Sequence, residues 1–259
     1  MGLAPEHSFP KGFDDCVTAT KHVLNNGISY GVNPNKIAVG GDSAGGNLAA
    51  AVTIKFRDER IEPRIKAQLL IYPSLQVCSH SLPMTKQRLA DSADEFLFFY
   101  GLLGMWLSLN KHQQEMMESG KYITPELAEK CKRLVDVDLI PANLVQKGYV
   151  RDDHVATPID DDVISMSKLI EDPRVSPLLV EDLSELPPAY VFTVHWDYIR
   201  DHGIIYAKRL EKAGNTVVWH PETDTFHGVL NTCHTEPVFK TCPKLIGNIT
   251  EFLKKPFAE

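Results

Sequence analysis

"IAVGGDSAGGNLAAAV", residues 37 to 52, decides how this chain is read. The apolar run Ile37-Ala38-Val39 stops at Gly40-Gly41; Asp42-Ser43 follow, and Gly45-Gly46 open a run of small residues patterned as a helix. Glycines on both sides of one serine allow a corner too tight for larger side chains. Gly41-Asp42-Ser43-Ala44-Gly45 fits G-x-S-x-G, in which the serine occupies a strained strand-to-helix turn with its hydroxyl exposed above a sheet. Ser43 then stands at a helix N-terminus, where aligned amide dipoles favour developing negative charge. A glycine-rich strand-to-helix turn also serves as a packing device or a phosphate cradle, so the strand before Ser43 and the helix after it are what favour catalysis.

The rest of the chain sets the bounds. Its 259 residues suffice for one large α/β domain, and 43% apolar with 24% charged residues is ordinary for a globular protein. A formal net charge of -7 without a Lys/Arg-rich face argues against a nucleic-acid partner. Cys16, Cys78, Cys131, Cys233 and Cys242 form no CxxC pair and no metal-ligand spacing; they read as buried or surface thiols, and the redox compartment stays open. Asn248-Ile249-Thr250 is a sequon that matters only in the secretory pathway. Residues 1 to 12 hold Pro5, Glu6, His7 and Pro10 where a secretory signal needs an apolar run. The longest uncharged apolar stretch, "FLFFYGLLGMWLSLN" from Phe96 to Asn110, falls short of the roughly 20 residues of a membrane helix. It reads as a buried or cap helix, with an interfacial anchor as the alternative.

Strand and helix patterns alternate without an internal repeat. Helices are expected at 14 to 30, 43 to 58, 203 to 213 and 238 to 253; strands are expected at 36 to 40, from Ala67 in "AQLLIYPSL", at 187 to 197, and in "NTVVWHP". Residues 84 to 170 carry further helical stretches at 95 to 109 and 125 to 134, with acidic loops between them, and read as an insertion. Strands separated by helices of this length predict a parallel, doubly wound α/β sheet covered on both faces.

A serine hydroxyl becomes a strong nucleophile only when a base removes its proton and a carboxylate orients that base. The required chain order after a G-x-S-x-G serine is acid, then histidine. Asp197 ends the third strand pattern and His227, in "TDTFHGVL", follows the fourth, both at carboxyl ends where parallel sheets place their sites. The candidate set is therefore Ser43 as nucleophile, Asp197 as orienting acid and His227 as base, with the Ala44 amide receiving the oxyanion. Asp201 is a rival acid, better suited to beginning the next helix. A metal site of His220, His227 and His234 has the residue type without ligand-like spacing, so no metal or organic cofactor is expected.

Seven segments, "LAPEHSFP", "GDSAGGNLAA", "LLIYPSL", "RVSPLL", "LPPAYVFT", "DYIRDHGIIYAKRL" and "FHG", resemble in order and spacing the hormone-sensitive-lipase-like branch of the α/β-hydrolases, and within it the arylacetamide deacetylase group. The likeness runs from Leu3 to about Leu253. It implies one α/β-hydrolase domain over residues 1 to 259 and a carboxylic ester or amide hydrolase working through Ser43, Asp197 and His227. It also implies that the insertion at about 84 to 170 helps cap an acyl pocket. The implied partner is a small-molecule ester or lipid substrate. Membrane-surface association through Phe96 to Leu109 is kept as an alternative, and the oligomeric state stays open.

Two departures stand out. His195-Trp196 precede Asp197 where relatives commonly carry an acidic residue. Relatives also carry strands and an HGGG loop upstream of "LAPEH", whereas this chain begins at Met1-Gly2. The expectation is an N-terminally truncated hydrolase with half of its oxyanion donors absent, at about 10² to 10³ in turnover per lost donor. Lys36 to Gly40 is then an apolar edge strand prone to aggregation. A catalytically impaired form that binds lipid or a partner is the alternative function. Relatives are often anchored to the endoplasmic reticulum, so localisation stays open.

Overall fold

Leu69, Leu70 and Ile71, and likewise Tyr190, Val191 and Phe192, form unbroken apolar runs, as strands covered on both faces require. The computed structural model describes residues 2–91, 94–153, 155–156, 158–234 and 239–258. Its elements run α1 Lys11–Asn26, β1 Ala38–Asp42, α2 Ala44–Asp58, β2 Ala67–Ile71, α3 Pro83–Asp91, α4 Asp94–Leu107 and α5 Lys111–Glu118. Then follow α6 Pro125–Leu134, α7 Asp161–Glu171, β3 Ala189–Trp196, α8 Arg200–Lys212, β4 Val217–Phe226 and α9 Thr241–Ala258.

The described strands form one parallel sheet in the order β1-β2-β3-β4. Alternation assigns its two faces. Leu70, Ala189 and Val191 pack with Ala50 and Ile54 of α2 and with Ile204 and Ala207 of α8. On the other face Ile71, Tyr190, Phe192 and Val194 pack with Leu245 and Phe252 of α9. Phe13, Val17 and Leu24 of α1 lie against Val52 and Phe56 of α2. Every strand therefore delivers its carboxyl end to one edge of the sheet.

Several expected boundaries move. The first strand runs from Ala38 to Asp42 and is half-buried, because it lies at the edge of the described sheet with β2 as its neighbour. The first helix starts at Lys11 and gives way at Gly27 to a 3-10 turn closed by Gly31 at φ 73°. The fourth strand continues to Phe226 instead of stopping at Pro221; Pro221 is tolerated because β4 is an edge strand. Val238, expected to open the last helix, lies outside the described residues; α9 begins at Thr241.

The segment between β2 and β3 is built mainly of helices. α4 turns Tyr100, Leu103 and Leu107 inward and leaves Leu97, Phe98, Leu102 and Met105 exposed. The side chain of Phe96 lies outside the described residues. Trp106 meets Phe9 edge-on at 5.3 Å. Among the described residues no helix is long and apolar enough to cross a membrane.

The cysteines correct the thiol reading. Cys78 is bonded to Cys131 and Cys233 to Cys242, while Cys16 takes part in neither bridge. Partners 53 and 9 residues apart become neighbours only through the tertiary fold, so spacing held no signal of them.

Candidate active site

Ser43 caps α2 by position but not by chemistry. A serine at a helix N-cap ordinarily accepts an amide hydrogen on its side chain. Ser43 makes no such bond and sits at φ 55°, ψ −116°, a conformation that costs a non-glycine residue of order 1–3 kcal/mol. Its N–H donates to Ile71 O at 2.9 Å, and its carbonyl accepts from Asn47 and Ser74 at 3.2 Å. The backbone is thus held by β2 and by α2 itself, and Oγ is left to point elsewhere. A Cβ at Gly41 would fall 2.4 Å from the Gly45 carbonyl, so glycine is obligatory where the turn closes on itself.

The freed Oγ lies 2.8 Å from His227 Nε2. His227 directly follows β4, and its N–H donates to Trp196 O at 3.2 Å, joining the ends of β4 and β3. On the far side of the imidazole, Nδ1 stands 3.0 Å from Asp197 Oδ2. Asp197 is 1% exposed, against 35% for His227. Its other oxygen accepts the Ile199 N–H at 2.9 Å. Hydroxyl, imidazole and carboxylate therefore form one chain from half-exposed surface to buried interior. Ala44, the first residue of α2, is exposed beside them, and the leading amides of a helix have no intrahelical partner.

The rivals lie elsewhere. Asp201 is fully buried in the first turn of α8, where one carboxylate oxygen accepts the Met84 N–H at 2.7 Å and the other pairs with Arg200 at 2.8 Å. His220 stacks near Tyr190 and Phe192 inside β4, and His234 is exposed. No three His, Cys, Asp or Glu among the described residues are placed to hold a metal.

Two neighbours escaped the sequence reading. Asn47 is buried, and its Nδ2 donates to Ser74 O at 2.9 Å and to Val175 O at 2.8 Å, tying the first turn of α2 to two loops. Tyr72, directly after β2, packs its ring 4.7 Å from the imidazole of His227. Its position at the same strand edge as Ser43 and Asp197 was the available signal. His202, fully buried on α8, has its pKa driven down to about 3, first by burial and then by the nearby His227 and His80. Burial also lowers that of His195.

A cavity of about 630 Å³ opens at the other end of the sheet, against Lys66, Pro187 and Pro188 before β2 and β3. A second, of about 330 Å³, lies beside Cys78, His80 and Tyr122. Neither is lined by Ser43, Asp197 or His227.

A model of the alpha/beta hydrolase fold family matches residues 2–106 and 141–231. The chain is 32% identical over 253 residues to arylacetamide deacetylase-like 3 of Homo sapiens, covering 96% of this chain and 62% of that protein. It is 32% identical over 256 residues to arylacetamide deacetylase of Bos taurus, covering 97% and 63%. Among solved structures, an esterase of Pyrobaculum calidifontis superposes with a TM-score of 0.61 at 28% identity, covering 98% of this chain and 63% of that one. An arylesterase superposes at 0.59 with 27% identity, covering 98% and 62%. The chain thus spans a little over three fifths of the length of these relatives.

Proposed function

The chain belongs to the alpha/beta hydrolase fold family, and from that premise we propose that it is a serine hydrolase cleaving carboxylic esters through an acyl-enzyme. The observation that carries this is the pair of contacts made by His227, with Ser43 Oγ at 2.8 Å on one nitrogen and Asp197 Oδ2 at 3.0 Å on the other. The similarity to proteins named esterases and arylacetamide deacetylases supports it.

In this mechanism His227 Nε2 takes the Ser43 proton as Oγ attacks the ester carbonyl carbon. The Asp197 carboxylate holds the ring and stabilises the imidazolium that forms. The carbonyl oxygen, now anionic, faces the Ala44 amide at the head of α2, where the helix dipole adds to the hydrogen bond. Collapse of the tetrahedral intermediate breaks the C–O bond, and His227 returns the proton to the leaving alcohol. Water, deprotonated by the same imidazole, then releases the acid and restores Ser43. The helical segment at about 84 to 170 serves as the cap of this site, and the substrate class is a small to medium ester or aryl amide with an apolar acyl group.

Hydrolysis of p-nitrophenyl acetate and butyrate by the chain and by Ser43→Ala, with circular dichroism on both, tests the reading. Turnover that vanishes with Ser43 supports it. Folded protein without Ser43-dependent turnover rejects it in favour of a protein that binds ester or lipid without cleaving it.

A further inference from the structure

We propose that Tyr72 is a positioning residue that holds the elbow bearing Ser43 and the loop bearing His227 in register; the inference rests on the catalytic reading of those two residues. Tyr72 directly follows β2, the strand adjacent to β1, and is 1% exposed. Its φ is 35°, which for a bulky side chain is an outlier that persists only where surrounding contacts enforce it. The backbone bend is held by its N–H, which donates to Phe192 O at 2.7 Å, and is followed at once by Pro73.

The bend sends the side chain between two loops. The phenol oxygen accepts the Leu230 N–H at 3.2 Å, three residues past His227, and faces Asp42 Oδ2 at 3.4 Å, one residue before Ser43. Burial raises the phenol pKa above its ordinary value, so the group stays a neutral donor toward that carboxylate. Between these contacts the ring lies against the imidazole at 4.7 Å, tilted by 55°. His227 is 35% exposed, so part of its ring faces solvent. The Tyr72 ring occupies one side of the imidazole, and its hydroxyl spans the two turns whose separation sets the Oγ–Nε2 distance. A displacement of about 1 Å there is enough to cost 10²-fold in rate.

Tyr72 also meets Phe192 at 6.4 Å, so a plain core role must be told apart from positioning. Tyr72→Phe keeps the ring and removes the bridge; Tyr72→Leu removes both. Titration of each with a fluorophosphonate gives the fraction of competent sites, and p-nitrophenyl butyrate turnover is then expressed per competent site. The expectation is an unchanged KM, with kcat per site lower by about 10-fold in Tyr72→Phe and about 10²-fold in Tyr72→Leu. A per-site kcat equal to the parent's in Tyr72→Leu, with the loss confined to fewer competent sites, overturns the proposal. A second readout needs no turnover: the proton resonance of His227 Nδ1, assigned by its disappearance in His227→Gln. Broadening by faster exchange with solvent in Tyr72→Leu supports positioning, and an unchanged linewidth refutes it, since loss of the neighbouring ring current alone shifts the line without broadening it. If the parent shows no Ser43-dependent labelling, the catalytic reading falls by itself, and the resonance still decides whether Tyr72 holds the ring.

Discussion

His227 Nε2 lies 2.8 Å from Ser43 Oγ across 184 residues of chain. The contact is a product of sheet topology. β1 and β4 are the two outer strands, with β2 and β3 between them, and all four point the same way. β1 ends directly before Ser43, while β4 runs on to Phe226, well beyond its first pairing of Val217 with Ala189. That extra length, together with the irregular register between Val194 and Trp196, carries His227 to the sheet edge, over Asp197 and back toward Ser43.

Asp197→Asn separates orientation from architecture. The asparagine carbonyl can still accept the Ile199 N–H that Oδ1 accepts now, so the turn before α8 survives. The amide presented to Nδ1 favours the tautomer that protonates Nε2, which can no longer take the Ser43 proton. Turnover of p-nitrophenyl butyrate is expected to fall about 10⁴-fold with little change in the denaturation midpoint. Loss of less than tenfold would show that Asp197 does not orient the base.

The glycines of the turn are unequal, and substitution exposes the difference. A Cβ at Gly41 meets the Gly45 backbone at 2.4 Å, whereas a Cβ at Gly45 meets nothing within 4 Å. Gly41→Ala must push β1 and α2 apart at their junction, for a loss of about 1–3 kcal/mol in urea denaturation and loss of Ser43 labelling. Gly45→Ala, inside α2, should be neutral to stabilising, by up to about 1 kcal/mol. Equal destabilisation by both substitutions would remove the close approach as the reason for Gly41.

The convergence of Ser43, Asp197 and His227 was legible because local pattern and chain order bear on it: a G-x-S-x-G turn, then an acid and a histidine at successive strand ends. The parallel sheet was legible for the same reason, through apolar runs such as Leu69-Leu70-Ile71. Tyr72 and Asn47 were not, because their significance lies in hydrogen bonds to Leu230 and Val175, residues remote in the chain. The end of β4 was misplaced at Pro221 because a proline normally closes a strand; an edge position lifts that rule, and edge positions follow from topology rather than local sequence.

His202 predicts a pH dependence of stability. Its folded pKa is depressed to about 3 by burial, with His227 and His80 adding to the effect, while an unfolded histidine titrates near 6.5. Between those values the unfolded chain binds one more proton than the folded chain. The contribution is therefore fully present above about pH 6.5 and is lost progressively as pH falls toward 3, by about 1.4 kcal/mol per unit. Urea denaturation at pH 7.5, 6 and 5 measures it, and in His202→Asn the slope should flatten by one proton. An unaltered slope in that variant would assign the dependence to other groups.

The disulfides rank in their effect on stability by the length of chain they close. Cys78–Cys131 spans 53 residues and ties the loop after β2 to α6; Cys233–Cys242 spans 9 and ties the turn after His227 to α9. Loop-closure entropy gives about 4 kcal/mol for the first and about 3 kcal/mol for the second. Both partners of the longer bridge are fully buried, so its replacement by alanines also opens space in the core between the β2 loop and α6. The double variant Cys78→Ala/Cys131→Ala should therefore unfold at distinctly lower urea than Cys233→Ala/Cys242→Ala. The shorter bridge stands nearer the site, since both of its sulfurs lie 3.7 Å from the carbonyl oxygen of Val229, two residues after His227. Its loss should lower turnover per competent site more than it lowers stability, whereas loss of the longer bridge should do the reverse. Peptide mapping without reductant must first recover both pairs; a different pairing, or equal effects of the two double variants on stability and turnover alike, would reject this division between them.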